Sequence, residues 1–291
     1  KLHTTPITLA DVTVRLETPE PVLCTSNFRP FMGEGGGKSV RAVFSQVPVL
    51  PEITERAEFE NLMFSVHRVE NGFVRRYRDQ DSRFYAVGRM TPEGAEICYL
   101  PWSRAYFSET HNCFSHIALE ELLLRCDRLI LHAAFVAAGE KGLLFSGPSG
   151  IGKSTQAALW QRHGAHLING DRTVLGPVDA AWTAWGSPYA GSSRCFCSER
   201  RPIGAIVVLE QSHACAVRRL TAAEAFHRLY PQLTINSWNG AYVERASGFL
   251  AELAAQVPVY LLECTPDDRA VETLANVLKE DNALGFEGSS L

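Results

Sequence analysis

Apolar and polar residues alternate in short runs through residues 1 to about 110: Ile7 to Leu16, Ala42 to Val49, Leu62 to Val69, Phe73 to Tyr77, Arg83 to Met90 and Ala95 to Leu100. A two-residue period sends successive side chains to opposite faces of a strand, so this stretch predicts a small antiparallel sheet. Glu70-Asn71-Gly72 and Pro92-Glu93-Gly94 each separate two such runs, as hairpin connections do. From His116 to Ile130 the period lengthens: Ile117, Leu119, Leu122, Leu123 and Leu124 are apolar, with Glu120, Glu121 and Arg125 interleaved. That predicts a helix linking the β-rich part to the remainder of the chain. Beyond it, short apolar strands (Ala133 to Ala137, Gly142 to Ser146, Ala205 to Leu209, Val259 to Leu262) alternate with helical stretches (Ser154 to Arg162, Ala222 to Tyr230, Ala246 to Gln256, Asp268 to Lys279). Such alternation predicts an α/β core, with a smaller β-rich domain over 1–127 and the core over 128–291.

Two features of the first 127 residues carry alternative readings. Gly35-Gly36-Gly37-Lys38-Ser39 superficially resembles a phosphate loop, but no apolar strand leads into it and Val40 to Val49 looks extended, so Gly33 to Lys38 is expected to be a flexible hairpin tip. Arg75, Arg76, Arg78 and Arg83 cluster around Tyr77. They form either a contact for an acidic or phosphorylated partner or a solvated strand face balanced by Asp79 and Asp81.

The decisive pattern lies in the second domain. Gly142 to Ser146 reads as a buried strand, and Gly147-Pro148-Ser149-Gly150-Ile151-Gly152-Lys153-Ser154-Thr155 comes directly after it with the complete spacing GxxxxGK[ST]. Glycines there let consecutive N–H groups turn inward toward phosphate oxygens, and the next helix adds its positive end. Lys153 would meet the β- and γ-phosphates of a nucleotide, and the Ser154 hydroxyl would ligate Mg²⁺. The apolar strand before and the amphipathic stretch after (Ala157, Ala158, Leu159, Trp160) argue against a plain glycine-rich turn. The expected nucleotide-binding residues are Gly147, Ser149, Gly150, Ile151, Gly152, Lys153, Ser154 and Thr155. An acidic metal partner is needed at the end of a neighbouring strand. Asp171, closing His166-Leu167-Ile168-Asn169-Gly170-Asp171, stands at the right distance for an adjacent strand.

With these residues in view, His132 to Leu209 resembles the catalytic domain of HPr kinase/phosphorylase, whose fold is shared with ATP-dependent phosphoenolpyruvate carboxykinase. That family has a His-containing strand before the P-loop strand, matched by Leu131-His132-Ala133, then GxSGxGKS, matched at Gly147 to Ser154. A Gly-x-x-Leu-[IV]-x-Asp-Asp segment comes next, where this chain has Gly164 to Asp171. More narrowly it resembles HPr-kinase-like proteins of peptide-modification gene clusters, through Gly170-Asp171-Arg172 and Gly186-Ser187-Pro188-Tyr189-Ala190-Gly191. Residues 1–127 show no such resemblance. In the family the two aspartates divide base and metal roles, and Gly170 falls on the first and Asp171 on the second. The resemblance therefore implies metal binding at Ser154 and Asp171, and leaves the base without its residue. Another carboxylate, such as Asp179 or Glu199, could substitute, which sequence spacing does not decide.

Gly186 to Ser193 is either a loop at the rim of the nucleotide site or a plain surface turn. Of the arginines in or after it (Arg172, Arg194, Arg200, Arg201), Arg194 is the expected neutraliser of the transferring phosphoryl group. His132 either lines the site or is a satisfied core residue. Trp182, Trp185 and Trp238 are assigned to aromatic packing rather than to stacking on an adenine.

Composition narrows the classes. The chain has 291 residues, 46% hydrophobic and 21% charged, enough for one large core or two medium ones. Lys+Arg 28 against Asp+Glu 32 gives a net charge of −4 without a single-sign block, which argues against nucleic acid or an anionic membrane as partner. No apolar run approaches a bilayer span, and Lys1 to Pro6 carries no signal-like segment, so a cytoplasmic location is expected. The eight cysteines are read as reduced thiols; Cys195-Phe196-Cys197 is the one close pair, taken as two alternating positions rather than a metal or redox site. The expected function is a Mg-ATP-dependent kinase acting on a Ser or Thr hydroxyl of a peptide, protein or small molecule, with catalytic residues Lys153, Asp171 and Arg194. The alternative is a nucleotide-binding accessory protein with little turnover, for which the loss at Gly170 is the evidence. A homo-oligomer is an expectation that rests on the resemblance alone.

Overall fold

The computed structural model describes residues 1–284; the last seven positions of the expected second domain lie outside the described residues. The chain separates into two compact units, Lys1–Cys126 and Asp127–Leu291.

The first unit contains β1 (His3–Leu9), β2 (Val12–Thr18), β3 (Lys38–Gln46), β4 (Ala57–Glu60), β5 (Phe64–Val69), β6 (Gly72–Arg78), β7 (Phe84–Thr91) and β8 (Gly94–Tyr99), then α1 (Thr110–Phe114) and α2 (Leu119–Arg125). Its eight strands form one sheet in the order β1-β2-β3-β8-β7-β6-β5-β4. The expectation of a small antiparallel sheet is corrected: β3 runs parallel to both β2 and β8. Alternation reports which face a residue occupies and is silent on strand direction. Ile7 to Leu16 is two strands, turned at Ala10 and Asp11, both with positive φ (49° and 62°), without the Asn-Gly signature that marks such turns.

The glycines before β3 are not a free tip. The Gly35 N–H donates to Thr13 Oγ1 at 3.0 Å, and a Cβ on Gly37 would lie 1.8 Å from the Asp11 carbonyl oxygen, so this segment is packed on the β1–β2 turn. The single helix expected over His116 to Ile130 is also corrected. Ala118 takes a left-handed φ of 47° between α1 and α2, and Leu129 and Ile130 belong to a strand of the second unit. The arginine cluster is largely consumed within the unit: Arg75 pairs with Glu120 (2.6 Å), Arg78 with Glu60 (2.5 Å) and Arg83 with Asp79 (2.7 Å), while Arg76 lies over the Phe84 ring.

Buried His116 anchors an aromatic cluster. Its Nδ1–H donates to the Asn112 carbonyl oxygen (2.6 Å), and its Nε2 accepts from the Tyr85 hydroxyl (2.7 Å). Tyr77 donates to the His116 carbonyl oxygen at 3.0 Å. Burial holds the imidazole pKa down to about 4. The unfolded chain therefore binds a proton near pH 6.5 that the folded unit refuses until about pH 4, so stability is lost as pH falls through that window. We expect urea unfolding of the whole chain to show a loss of ~3 kcal/mol between these limits that His116→Gln removes. An unchanged pH profile in the variant refutes the assignment.

The second unit contains β9 (Leu129–Ala138), β10 (Lys141–Ser146), α3 (Lys153–Arg162), β11 (His166–Asn169), β12 (Arg172–Val178), β13 (Ala181–Trp185), β14 (Arg200–Gln211), β15 (Ala216–Arg219), α4 (Ala222–Leu229), α5 (Gly240–Gln256), β16 (Val259–Cys264) and α6 (Asp268–Glu280). It is mixed α/β. Strands β11, β9, β10, β14, β16 and β15 lie side by side, with β10, β14 and β16 parallel. Two long strands serve a second layer as well: the first residues of β9 pair with β12, and the first residues of β14 pair with β13. Along β9, β10, β14 and β16, alternate residues (Val136, Phe145, Val207, Leu262) enter one core with Trp160 of α3 and Leu274 of α6. This anchors α3 on the sheet and fixes the loop before it. Among the described residues no helix is long and apolar enough to cross a membrane.

Candidate phosphate-binding site

β10 ends at buried Ser146, whose hydroxyl donates to the His132 carbonyl oxygen (3.0 Å). The next six residues form a loop in which Gly147, Gly150 and Gly152 have φ of +146°, +80° and +118°. These values disfavour any side chain, although a Cβ on Gly150 or Gly152 would meet nothing within 4 Å. Backbone conformation, not crowding, requires glycine there, and the space in front of the loop is open. Gly152 is the N-cap of α3 and provides no side-chain cap, so the first-turn amides are available to an anion.

Lys153 is 7% exposed. Its ammonium donates to the carbonyl oxygens of Gly147 (2.8 Å) and Pro148 (2.9 Å). An ammonium has three donors, and the third has no partner among the described residues. Burial lowers the Lys153 pKa, opposed by the Asp171 carboxylate. Ser149, Ser154 and Thr155 are exposed beside it, and Ile151 is half-buried beneath the loop against the core.

Asp171 faces this ammonium from the turn between β11 and β12, and its Oδ1 lies 2.9 Å from His132 Nε2. Burial, then the Lys153 charge, lower the His132 pKa against the pull of Asp171. The neutral imidazole thus donates from Nε2 and orients the carboxylate. His132 belongs to the site. The expectation that the Asp171 strand adjoins β10 is corrected, because β9 lies between β10 and β11 and brings His132 between the loop and Asp171.

Buried Asn169 and Ser187, which stand within the motifs but carry no expected role, hold this turn. Asn169 Oδ1 accepts from the Asp171 N–H (2.9 Å), and its amide donates to the Ser187 carbonyl oxygen (3.0 Å). The Ser187 hydroxyl donates to the Arg172 carbonyl oxygen (2.5 Å). An Asn two residues before the functional Asp is the signature of an Asx turn, a signal present in Asn169-Gly170-Asp171.

From Ala190 to Glu199 the chain runs as a strap along the edge of β11. Gly191 lies against Asp171, where a Cβ would meet the Asp171 Cγ at 3.1 Å. The Cys195 thiol points to the Leu167 carbonyl oxygen (3.2 Å), and Glu199 reaches His166 (3.4 Å). A Cβ on Gly170 would lie 2.2 Å from Ser193 Oγ and 3.0 Å from the Ala190 carbonyl oxygen, so the strap fills the space that an acidic side chain at 170 needs.

Arg194 is exposed at the end of the Gly191–Ser193 turn, with φ of +50° and no partner among the described residues. Arg201 is bound to Glu199 (3.0 Å), and Arg172 lies near the Tyr189 ring. Neither substitute carboxylate reaches the loop: Asp179 occupies the β12–β13 turn at the far end of β12, and Glu199 stands at the far end of β11 from Asp171. Buried Trp182 donates to Gln256 Oε1 (3.0 Å), and buried Trp185 is covered by Arg128. A cavity of ≈ 630 Å³ opens beside Gly150, Gly152 and Thr155, bounded also by Gln211, His213 and Thr265. No tryptophan lines it.

No protein-family model matches the sequence, and no curated protein matches it. Among solved structures, the Hpr(Ser) kinase/phosphatase from Coxiella burnetii is similar, at 17% sequence identity and a TM-score of 0.33, over 54% of this chain and 91% of that one.

The packing of Gly170 gives a direct check. Gly170→Ala should lower the melting temperature, and adding Ser193→Gly should recover part of the loss, with a coupling of ~0.5–3 kcal/mol typical of residues in contact. Strictly additive effects would show that the strap does not rest on Gly170.

Proposed function

We propose that the chain binds a magnesium nucleoside triphosphate and transfers its terminal phosphoryl group to a hydroxyl of a peptide, protein or small molecule. The observation that carries this reading is the buried Lys153 ammonium, tied to its own loop by two donors, with the third unpartnered among the described residues, at the first position of an uncapped helix. Polyphosphate is the chemistry such a cradle fits. The adjoining cavity has the volume of a small-ligand cleft and suits the nucleoside.

Ser154 and Asp171 offer hard oxygen donors and would hold Mg²⁺. When bound, that ion supplies neutralisation of the β- and γ-phosphate charge. The α3 amides and Lys153 would fix the phosphates, His132 would hold Asp171 in place, and Arg194 is free to swing toward the transferring group. The acceptor oxygen forms a bond to the γ-phosphorus as the bridging bond to the β-phosphate breaks. Its proton leaves to solvent. Positioning and charge dominate this reaction, and a base adds ~10²–10⁴-fold. With Gly170 packed against Ser193, turnover is expected to be slow.

That same packing favours a second reading, an accessory protein that binds nucleotide with little transfer. Mg-ATP at 100 times its Kd should stabilise the parent by ~2.7 kcal/mol in a thermal shift, and Lys153→Ala should lose most of it. Asp171→Asn should weaken the magnesium dependence more than nucleotide affinity. Transfer of γ-label to a neighbouring gene product selects the kinase, and tight binding without transfer selects the accessory role. Absence of any nucleotide shift in the parent refutes both.

A further inference from the structure

A second cluster of chemically competent side chains lies at the other end of β11. A ring nitrogen of His166, Cys197 Sγ and a Glu199 carboxylate oxygen all fall within 4.8 Å of one another. Glu199 Oε1 is 3.3 Å from Cys197 Sγ and 3.4 Å from His166 Nε2. Around a tetrahedral zinc with sulfur at ~2.3 Å and nitrogen or oxygen at ~2.0–2.2 Å, N···O edges are about 3.3 to 3.6 Å and S···O edges about 3.5 to 3.6 Å, so the His166–Glu199 separation matches as it stands and the Cys197–Glu199 contact, now a thiol hydrogen bond, would open by about 0.2 Å. The other carboxylate oxygen is already fixed, because Glu199 Oε2 accepts from Arg201 at 3.0 Å. Such outer hydrogen bonds orient ligating carboxylates. The segment that presents Cys197 and Glu199 is also held close: the Gly186 N–H donates to the Glu199 carbonyl oxygen at 3.0 Å, and a Cβ on Gly186 would lie 2.0 Å from the Cys197 carbonyl oxygen.

We infer that His166, Cys197 and Glu199 form a site for a zinc-class divalent cation that clasps the far end of the strap to β11. A thiolate and an imidazole select a borderline-soft metal over magnesium, which prefers the oxygen donors at the phosphate loop. Binding converts the Cys197 thiol to thiolate, and its proton goes to solvent. Three protein ligands leave one position for water. The ion lies outside the phosphate chemistry and acts on the strap, whose near end rests on Gly170 and Asp171. The inference is independent of the nucleotide reading, since it uses none of the loop residues.

Titrating the full reduced chain with Co²⁺ in the absence of nucleotide tests it. One equivalent should produce visible bands of tetrahedral cobalt and a near-ultraviolet thiolate-to-cobalt band, both displaced by Zn²⁺. Cys197→Ser should abolish the thiolate band. His166→Ala should weaken cobalt binding by about tenfold or more, and because the His166 side chain is 61% exposed this variant should keep its fold. Cys24→Ser and Asp171→Asn should leave the spectrum unchanged. A parent chain that shows no thiolate band, a band that survives Cys197→Ser, affinity unaffected by His166→Ala, or a spectrum lost in Asp171→Asn or Cys24→Ser would each overturn the assignment.

Discussion

The candidate site depends on one backbone constraint, the left-handed turns that Gly147, Gly150 and Gly152 take between a buried strand and an uncapped helix. Neither flank can relax to relieve them. Phe145 at the end of β10 and Trp160 on α3 are buried in the same core, so the sheet and the helix hold the loop from both sides. Lys153 closes the arrangement from within, its ammonium bound to the carbonyls of the loop that precedes it. The cost of burying that charge is visible in its lowered pKa. Under the proposed function, a bound anion would offset this cost and accept hydrogen bonds from the uncapped first turn of α3.

The loop is only half of the site, and the other half arrives through β9. Because β9 lies between β10 and β11, His132 stands where it can hold Asp171 opposite the ammonium. The strap then limits what this constellation can do. Ser193 and Ala190 occupy the space beside Gly170, leaving Asp171 as the single carboxylate of that turn. The surroundings of Asp171 are therefore shaped by a segment with little regular secondary structure, and the turn itself is held by buried Asn169 and Ser187.

Much of the α/β unit was legible because its strands are centred on apolar runs and helices such as α4 and α6 are amphipathic. The spacing of Gly147 to Thr155 needed no tertiary information, since its chemistry is local. What escaped was non-local or directionless. Alternation could not reveal that β3 runs parallel to β8, nor that β9 would separate β11 from β10. Ala10 and Asp11 turn the chain without turn-type residues, so β1 and β2 read as one strand. Asn169 carried a readable local signal. The convergence of His166 with Cys197 and Glu199 did not, because the strap brings together residues some thirty positions apart, a separation no local pattern predicts.

The place of β3 in the first unit has a consequence for biosynthesis. β3 pairs with β2 on one side and, on the other, with β8, which begins at Gly94. During translation the ribbon of β1 to β3 must wait for some fifty further residues before its second edge is covered, and such long-range parallel pairing is slow. The emerging chain therefore presents the unpaired backbone edge of β3 until β8 leaves the ribosome. This makes the interval a window for chaperone capture or for misassembly between neighbouring nascent chains.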